Sequence, residues 1–231
     1  MELNKFFIYA KNGEKGERVK ASVEEWGFEY SSESPDFVIT VGGDGTYLAA
    51  ERKLPEIPKL LVRDSLICYK CNDESLDQML KTIRSGQSRI KEMIKLEAAH
   101  RDGKLLAVNE IVLRNENLIR AIRFKVSVDG EEVHQNIIGD GVVVATPFGS
   151  TAYYKSVTRG TFNRGIGVGF NNSTREKEPL LIDENSELLI EITRENGQLA
   201  ADNNPTIATV GKGDTILIRK APEVARLISH H

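Results

Sequence analysis

The residues best suited to chemistry fall in three short stretches. The first is GGDGT, residues 42–46, where three glycines surround one carboxylate, Asp44. It follows the apolar run DFVITV and precedes TYLAAERKL, which reads as a helix ended by Pro55. A strand-to-helix turn of this kind lies at the carboxyl edge of an open α/β sheet, where ligands bind. Its glycines permit positive φ and close approach of a ligand to the backbone. The free N–H groups that open the helix favour phosphate. Neither standard phosphate loop is present: no Gly-Lys-Ser/Thr follows, and Leu48 stands where a dinucleotide fingerprint has its third glycine. A bare carboxylate repels phosphate. Asp44 therefore suits such a site as a holder of a divalent cation, or as the base that takes a proton from a nucleophilic hydroxyl. It also fits a tight turn in which its side chain caps the helix.

The second stretch is GDGVVVATPFGSTAYYKS, residues 139–156. Asp140 stands between two glycines, an apolar strand runs to Thr146, and a Pro-Phe-Gly turn leads into Ser150, Thr151, Tyr153 and Ser156. Such a loop offers N–H groups and hydroxyls to one polar ligand; a glycine-rich hairpin with a core tyrosine fits it as well. The third is Asn109 and Glu110, a polar pair inside the apolar run LLAVNEIVLRN. A buried amide and carboxylate need partners. The amide matches a base edge and the carboxylate accepts ribose hydroxyls; a strand bulge or an exposed strand face fits the pair too. Cys68 and Cys71 form a C-x-x-C with no second pair to complete a zinc site. In an extended run they point to opposite faces, so they read as two unlinked cysteines. The terminal His230 and His231 are assigned no role.

These stretches need elements to position them. The 231 residues suffice for one large or two small domains. With 40% hydrophobic and 28% charged residues the composition is that of an ordinary soluble protein. The net charge of −3 gives no reason to expect nucleic acid as a partner. No apolar run approaches the ~18 residues of a membrane span, and the N-terminus has no signal-peptide pattern, so a cytoplasmic location is expected. In the first third, KFFIYA and DFVITV read as strands and KLLVRDSLICYKC as one or two extended pieces. GEKGERVKASVEEWG carries Val19, Val23 and Trp26 at helical spacing with Gly27 as its stop. DESLDQMLKTIRSG carries the stripe Leu76, Met79, Leu80 and Ile83, a Ser75/Gln78 capping box and a terminal Gly86. Alternation of this kind predicts an α/β unit with a mostly parallel sheet. After about residue 88 helical periodicity nearly disappears. The runs IKLEAAH, LLAVNEIVLRN, IRFKVSV, EEVHQNII, GVVVAT, ELLIEITR and DTILIRKA read as strands, with hairpin signals at Asp102-Gly103, Asp129-Gly130 and Asn196-Gly197. The expected organisation is an α/β domain over 1–88 and an antiparallel β-rich domain over 89–220.

In order, GGDGT, AVNEIVL and GDGVVVATPFGSTAYYKS resemble the NAD kinase family, the ATP- or polyphosphate-dependent NAD 2′-kinases. The resemblance covers most of the chain. GGDGT is shared with other kinases; the TP-x-GSTAY string is the specific part. The resemblance implies an N-terminal α/β domain and a C-terminal β domain, with residues 221–231 returning to the first and the substrate between them. It implies that Asp44 and Gly45 meet the NAD ribose and pyrophosphate, with Asp44 the base for the 2′-hydroxyl. Asn109 and Glu110 would bind adenine and ribose, and Asp140 the nicotinamide end. Thr151, Ala152, Tyr153 and Ser156 would line the pocket, partly from a neighbouring subunit of a homodimer or homotetramer. Mg²⁺ would accompany the phosphoryl donor, ATP or polyphosphate, and NAD would be the substrate.

The chain departs from the family pattern in places. The glycine-rich stretch expected after the first motif reads LLVRDSLICYKCND, and Phe148 replaces a small hydroxyl residue after Pro147. Phe148 can stack on a base but donates no hydrogen bond to it. VTRGTFNRG and GFNNSTREK replace a Gly-Gly-Pro and a histidine-bearing stretch, and Asp202-Asn203-Asn204-Pro205 replaces an Asp-Gly. Lys155, Arg159 and Arg164 are available for donor contacts. A non-catalytic nucleotide-binding or sensing protein on the same scaffold, or a kinase of another small hydroxyl substrate, are the alternatives.

Overall fold

Apolar strands alternate with amphipathic helices in the first third of the chain because each strand must be covered on both faces. The computed structural model describes residues 3–64 and 74–229. Cys68, Cys71 and the terminal histidines, with the readings placed on them, lie outside the described residues. The chain divides into two units, Met1–Met93 with Val224–His231, and Ile94–Glu223.

The first unit is built from β1 (Lys5–Ala10), α1 (Gly13–Glu25), β2 (Glu29–Tyr30), β3 (Phe37–Gly42), α2 (Asp44–Lys53), β4 (Lys59–Arg63) and α3 (Leu76–Arg84). The strands lie parallel in the order β2, β1, β3, β4. Residues 37–41 of β3 are buried without a break, as a strand sandwiched by helices requires. α1 ends where Gly27, at φ 79°, donates to the Glu24 carbonyl at 2.8 Å. α3 opens on a reciprocal Ser75/Gln78 capping box and buries Met79, Leu80 and Ile83. The last strand of the chain also enters this unit. Its Leu227 pairs parallel with Lys59, and Ile228 joins Phe6, Phe37, Ile39 and Leu60 in the core. Each such side chain, fully buried, contributes about 1.5–3 kcal/mol.

The second unit holds β5 (Arg89–His100), β6 (Gly103–Ala107), β7 (Glu110–Asn115), β8 (Ile122–Val128), β9 (Glu131–Gly139), β10 (Gly141–Ala145), a 3₁₀ turn (Gly149–Thr151) and α4 (Tyr153–Thr158). It continues with β11 (Ile166–Asn171), β12 (Leu180–Ile182), β13 (Leu188–Arg194), β14 (Gly197–Ala201), β15 (Ala208–Val210) and β16 (Thr215–Ser229). The unit boundaries at Met93 and Val224 fall inside β5 and β16. Two layers face each other across one core. One runs β12-β11-β10-β7-β14-β15; the other carries β16, β13, β8 and β9, with β5 on β16 and β6 on β5. Leu113, Val144 and Leu199 from the first layer meet Phe124 and Ile190 from the second.

Four expectations change. LLAVNEIVLRN is two strands, β6 and β7, broken at residues 108 and 109. Asn196-Gly197 makes no hairpin, because β13 and β14 lie in different layers. Residues 153–158 form a helix, where a loop was expected. α2 begins at Asp44 itself, two residues before the run read as helical. Asp129-Gly130 does make the expected hairpin, with φ of 52° and 83° matching the twist of β8 and β9.

Candidate active site

The glycine turn of the first unit is dictated locally. Gly42 ends β3 at φ 156°, and a Cβ there would stand 2.2 Å from Thr46 Oγ1. Gly43 is the N-cap of α2, extended and without a side chain, so Asp44 is not the cap but the first helical residue. The N–H groups of Thr46 and Tyr47 are taken by the Gly43 carbonyl, at 2.9 and 3.3 Å. Asp44 is half-buried at the positive end of the α2 dipole.

The strand order places this turn at a switch point. α1 leads from β1 outward to β2, whereas α2 leads from β3 to β4 on the other side. Connections that diverge from neighbouring strands open a crevice at their carboxyl ends. A cleft of about 350 Å³ lies there, lined among others by Lys11, Asn12, Gly43, Asp44, Gly45 and Asp64. Asn12 caps α1 by accepting from the Lys15 N–H at 3.1 Å, so the N-termini of both helices border the cleft. Lys15 Nζ donates to Asp64 Oδ1 at 2.6 Å. The cleft thus combines two helix N-termini, Lys11 and two carboxylates, one of them paired with Lys15.

The polar pair of the second unit sits in the break between β6 and β7. Its backbone is held from both sides. The Asp202 carboxylate accepts the N–H groups of Val108 and Asn109 at 2.8 Å each and of Glu110 at 3.1 Å. The Asp202 N–H donates back to the Glu110 carbonyl at 3.0 Å. From the other side, Thr146 Oγ1 donates to the Val108 carbonyl at 2.6 Å and the Thr146 N–H to the Asn109 carbonyl at 2.9 Å. Every backbone donor and acceptor of residues 108–110 is therefore bound by Asp202 or Thr146. The Pro-Phe-Gly turn closes onto this pair. Gly149 donates to Thr146 Oγ1 at 3.0 Å, and a Cβ on Gly149 would stand 2.1 Å from the Asn109 carbonyl oxygen. Asn109 is 6% exposed, and its buried Oδ1 has no hydrogen-bond partner among the described residues. An orphaned buried acceptor costs about 1–3 kcal/mol, which a ligand donor would offset.

The other expected residues fall differently. Thr151, exposed, and Ala152 follow Gly149 beside this turn. Ser150 is buried, with its hydroxyl 2.8 and 2.9 Å from the Pro147 and Phe162 carbonyls, so it braces the loop. Ser156 is exposed on α4. Asp140 lies at the opposite end of β10, because Ala145 pairs with Glu110 whereas Gly141 pairs with Arg114. There Asp140 accepts from Asn172 Nδ2 at 3.0 Å, and Tyr153 Oη accepts from Asn171 Nδ2 at 3.2 Å. One chain thus sets the Gly149 turn, which Thr151 and Ala152 follow, against Asn109, and places Asp140 and Tyr153 at the other end of β10. Tyr154 is a core residue: burial pushes its phenol up, opposed by a hydrogen bond with Thr158. Asp202 and Thr146 were missed as site residues. The turn-forming run at 202–205 was visible, but nothing in the sequence tells which backbone a carboxylate there binds.

Comparison with known proteins shows what the chain is similar to. Residues 108–230 match the family model described as the ATP-NAD kinase C-terminal domain. The NAD kinase of Cellvibrio japonicus is 30% identical over 208 residues, 84% of this chain and 69% of the relative. An NAD kinase from Archaeoglobus fulgidus, solved in complex with ATP, superposes with a TM-score of 0.82 at 22% identity, covering 98% of this chain and 94% of that one. Yeast NADH kinase, solved with NADH, gives a TM-score of 0.85 at 18% identity over 99% and 84% of the two chains.

Proposed function

The chain belongs to the NAD kinase family, and from that premise we propose that it transfers the terminal phosphoryl group of ATP or polyphosphate to the adenosine 2′-hydroxyl of NAD, giving NADP. The observation that carries the reading is the buried, orphaned Oδ1 of Asn109 beside Glu110, on a backbone that Asp202 and Thr146 fix completely. An acceptor so placed suits an amino group on a base edge, and the neighbouring carboxylate suits ribose hydroxyls. Thr151 and Ala152 extend the same wall.

In the first unit, Asp44 takes the proton from the 2′-hydroxyl as the oxygen attacks phosphorus. Asp44 is the first residue of α2 and lines the cleft, which puts a carboxylate where a base is needed. Gly43 and Gly45 carry no side chain to obstruct phosphate, and the positive ends of the two helix dipoles offset its charge. A Mg²⁺ ion brought in on the donor's phosphates fits this cleft. Asp44 and Asp64 line it, and magnesium typically binds one or two carboxylates plus substrate phosphates. Bound there, it would neutralise charge on the transferring group. Asp140 and Tyr153, at the far end of β10, would meet the nicotinamide end, with Ser156 on the same helix as Tyr153; a second copy in a homodimer or homotetramer would bring them to the first copy's ligand.

The test is purified protein with NAD, Mg²⁺ and either ATP or polyphosphate, with NADP read by an NADP-specific dehydrogenase. Formation of NADP is expected. No product from either donor, with NAD or with NADH, overturns the kinase reading; calorimetric NAD binding without turnover would leave a nucleotide-binding protein in its place.

A further inference from the structure

We infer that Asp202 is a positioning residue for nucleotide selection: it holds the Asn109 and Glu110 side chains in the geometry that recognises the adenosine half of the substrate. The inference rests on the reading of Asn109 and Glu110 as the adenosine-binding pair. It adds a residue 92–94 positions away in the chain that has no direct part in the chemistry.

Three facts carry it. Two strands, β6 and β7, break at this point, so residues 108 and 109 lack the regular ladder that would otherwise fix them. Asp202 replaces that ladder with its own groups. Oδ2 takes the Val108 N–H, Oδ1 takes those of Asn109 and Glu110, and its own N–H takes the Glu110 carbonyl. A carboxylate accepting several backbone N–H groups makes stronger hydrogen bonds than a neutral acceptor. Finally, Asp202 sits at φ 47°, a left-handed turn conformation that Asp tolerates better than most residues. That conformation lets one residue present both its side chain and its N–H to the same turn. No neutral residue of similar size supplies two oxygen acceptors there. In Asn the amide NH₂ takes the place of one oxygen, so either Val108 or the Asn109 and Glu110 pair faces a donor instead of an acceptor.

The experiment compares five full-length variants, three single and two double, by steady-state kinetics and by calorimetric NAD binding without donor. Asn109→Ala alone is expected to weaken NAD binding about tenfold or more, through loss of a buried hydrogen bond to ligand. Asp202→Ala is expected to raise KM for NAD about tenfold while KM for ATP and kcat move less than about threefold, the signature of lost uniform binding. Asp202→Asn, the gentler variant, is expected to fall between wild type and Asp202→Ala, and it serves if Asp202→Ala does not fold. Added to Asn109→Ala, either Asp202 change is expected to weaken NAD binding by less than it does alone, because one of the two side chains it acts through is already removed and only Glu110 remains. Unchanged NAD affinity in Asn109→Ala overturns the adenosine reading and this inference with it. If Asn109→Ala weakens binding but neither Asp202 variant does, or if the two effects multiply in full, the positioning role alone is overturned.

Discussion

Two turns carry the proposed chemistry, and they are built by opposite means. The turn that holds Asp44 is fixed by its neighbours in sequence. Gly42 needs a positive φ and has no room for a Cβ, Gly43 caps the helix, and the peptide dipoles of α2 begin at Asp44. The turn that holds Asn109 and Glu110 contains no glycine. Its conformation is imposed from a distance, by Asp202 on its N–H groups and Thr146 on its carbonyls. A glycine turn leaves open space for phosphate and for a moving proton. A turn pinned on every backbone group suits recognition, where two side chains must keep one geometry.

The sharpest way to break this contrast is at Asp44. Asp44→Asn keeps the shape of the residue and removes the base. The expected result is a fall in kcat of about 10³, with the NAD dissociation constant changed less than about threefold, since Asn retains the polar contacts. Full activity in the variant, read as NADP formed per minute, would take Asp44 out of the proton transfer.

Next in size is Gly42→Ala. Positive φ and a 2.2 Å approach to Thr46 Oγ1 act together, so the variant should lose about 2–4 kcal/mol of stability in urea melts. Adding Thr46→Ala separates the two causes. It removes the Oγ1 clash, yet Thr46 Cβ itself lies 2.9 Å from the new methyl. Recovery should be partial, and complete recovery would show that φ costs nothing here.

Gly149→Ala puts the equivalent question to the second turn. Here the backbone is not left-handed; the obstacle is the Asn109 carbonyl oxygen, 2.1 Å from the new methyl. The pinned turn must shift, so NAD binding should weaken about tenfold while stability falls by about 1–3 kcal/mol. A variant that loses stability but binds NAD as the wild type does would mean that the position of Asn109 is not critical.

The same contrast explains what could be read from the sequence. Local devices were legible: the β3–α2 turn, the Ser75/Gln78 capping box, the Gly27 stop and the Asp129-Gly130 hairpin are each settled by a few adjacent residues. Features that depend on distant partners were not. The polar pair in LLAVNEIVLRN is visible as an interruption, but that it splits the run into two strands is not, until Asp202 and Thr146 are seen to bind it. β11 escaped notice because Gly167 and Gly169 interrupt its pattern. Those glycines are there because a Cβ on either would meet Phe162 at 2.2 Å or Thr158 at 2.6 Å, side chains from α4 and the loop after it. The helix was missed for a related reason. It spans only Tyr153–Thr158, too few residues to show a period, and owes its place to packing of Tyr154 on Val143 and Ala145. Asn109, Glu110 and Asp140 were all legible as polar interruptions, but only strand register shows that Asp140 stands at the other end of β10.

The smallest effect should come from a polar cluster that serves neither turn. Glu97 on β5 is nearly buried; it accepts from Lys104 Nζ at 2.9 Å and from Arg219 Nη2 at 3.2 Å. The hydrogen bond from Lys104 holds its carboxyl below the usual range, opposed by burial and aided by Arg219. A carboxylate whose pKa is lowered on folding stabilises the folded chain above its unfolded value, near 4.5, and that contribution is lost as pH falls through the lower folded value. Both cations are about half exposed, so solvent screening holds the contribution to roughly 0.5–1 kcal/mol. Glu97→Gln should therefore lower urea stability slightly at pH 7 and converge with the wild type only as the pH falls below the lowered folded value. NAD binding should stay within about twofold of wild type, since the site turns are untouched. A large loss of NAD affinity in Glu97→Gln would mean that the second unit is coupled throughout, and that the pinning by Asp202 and Thr146 does not isolate the nucleotide-reading turn from the rest of its sheet.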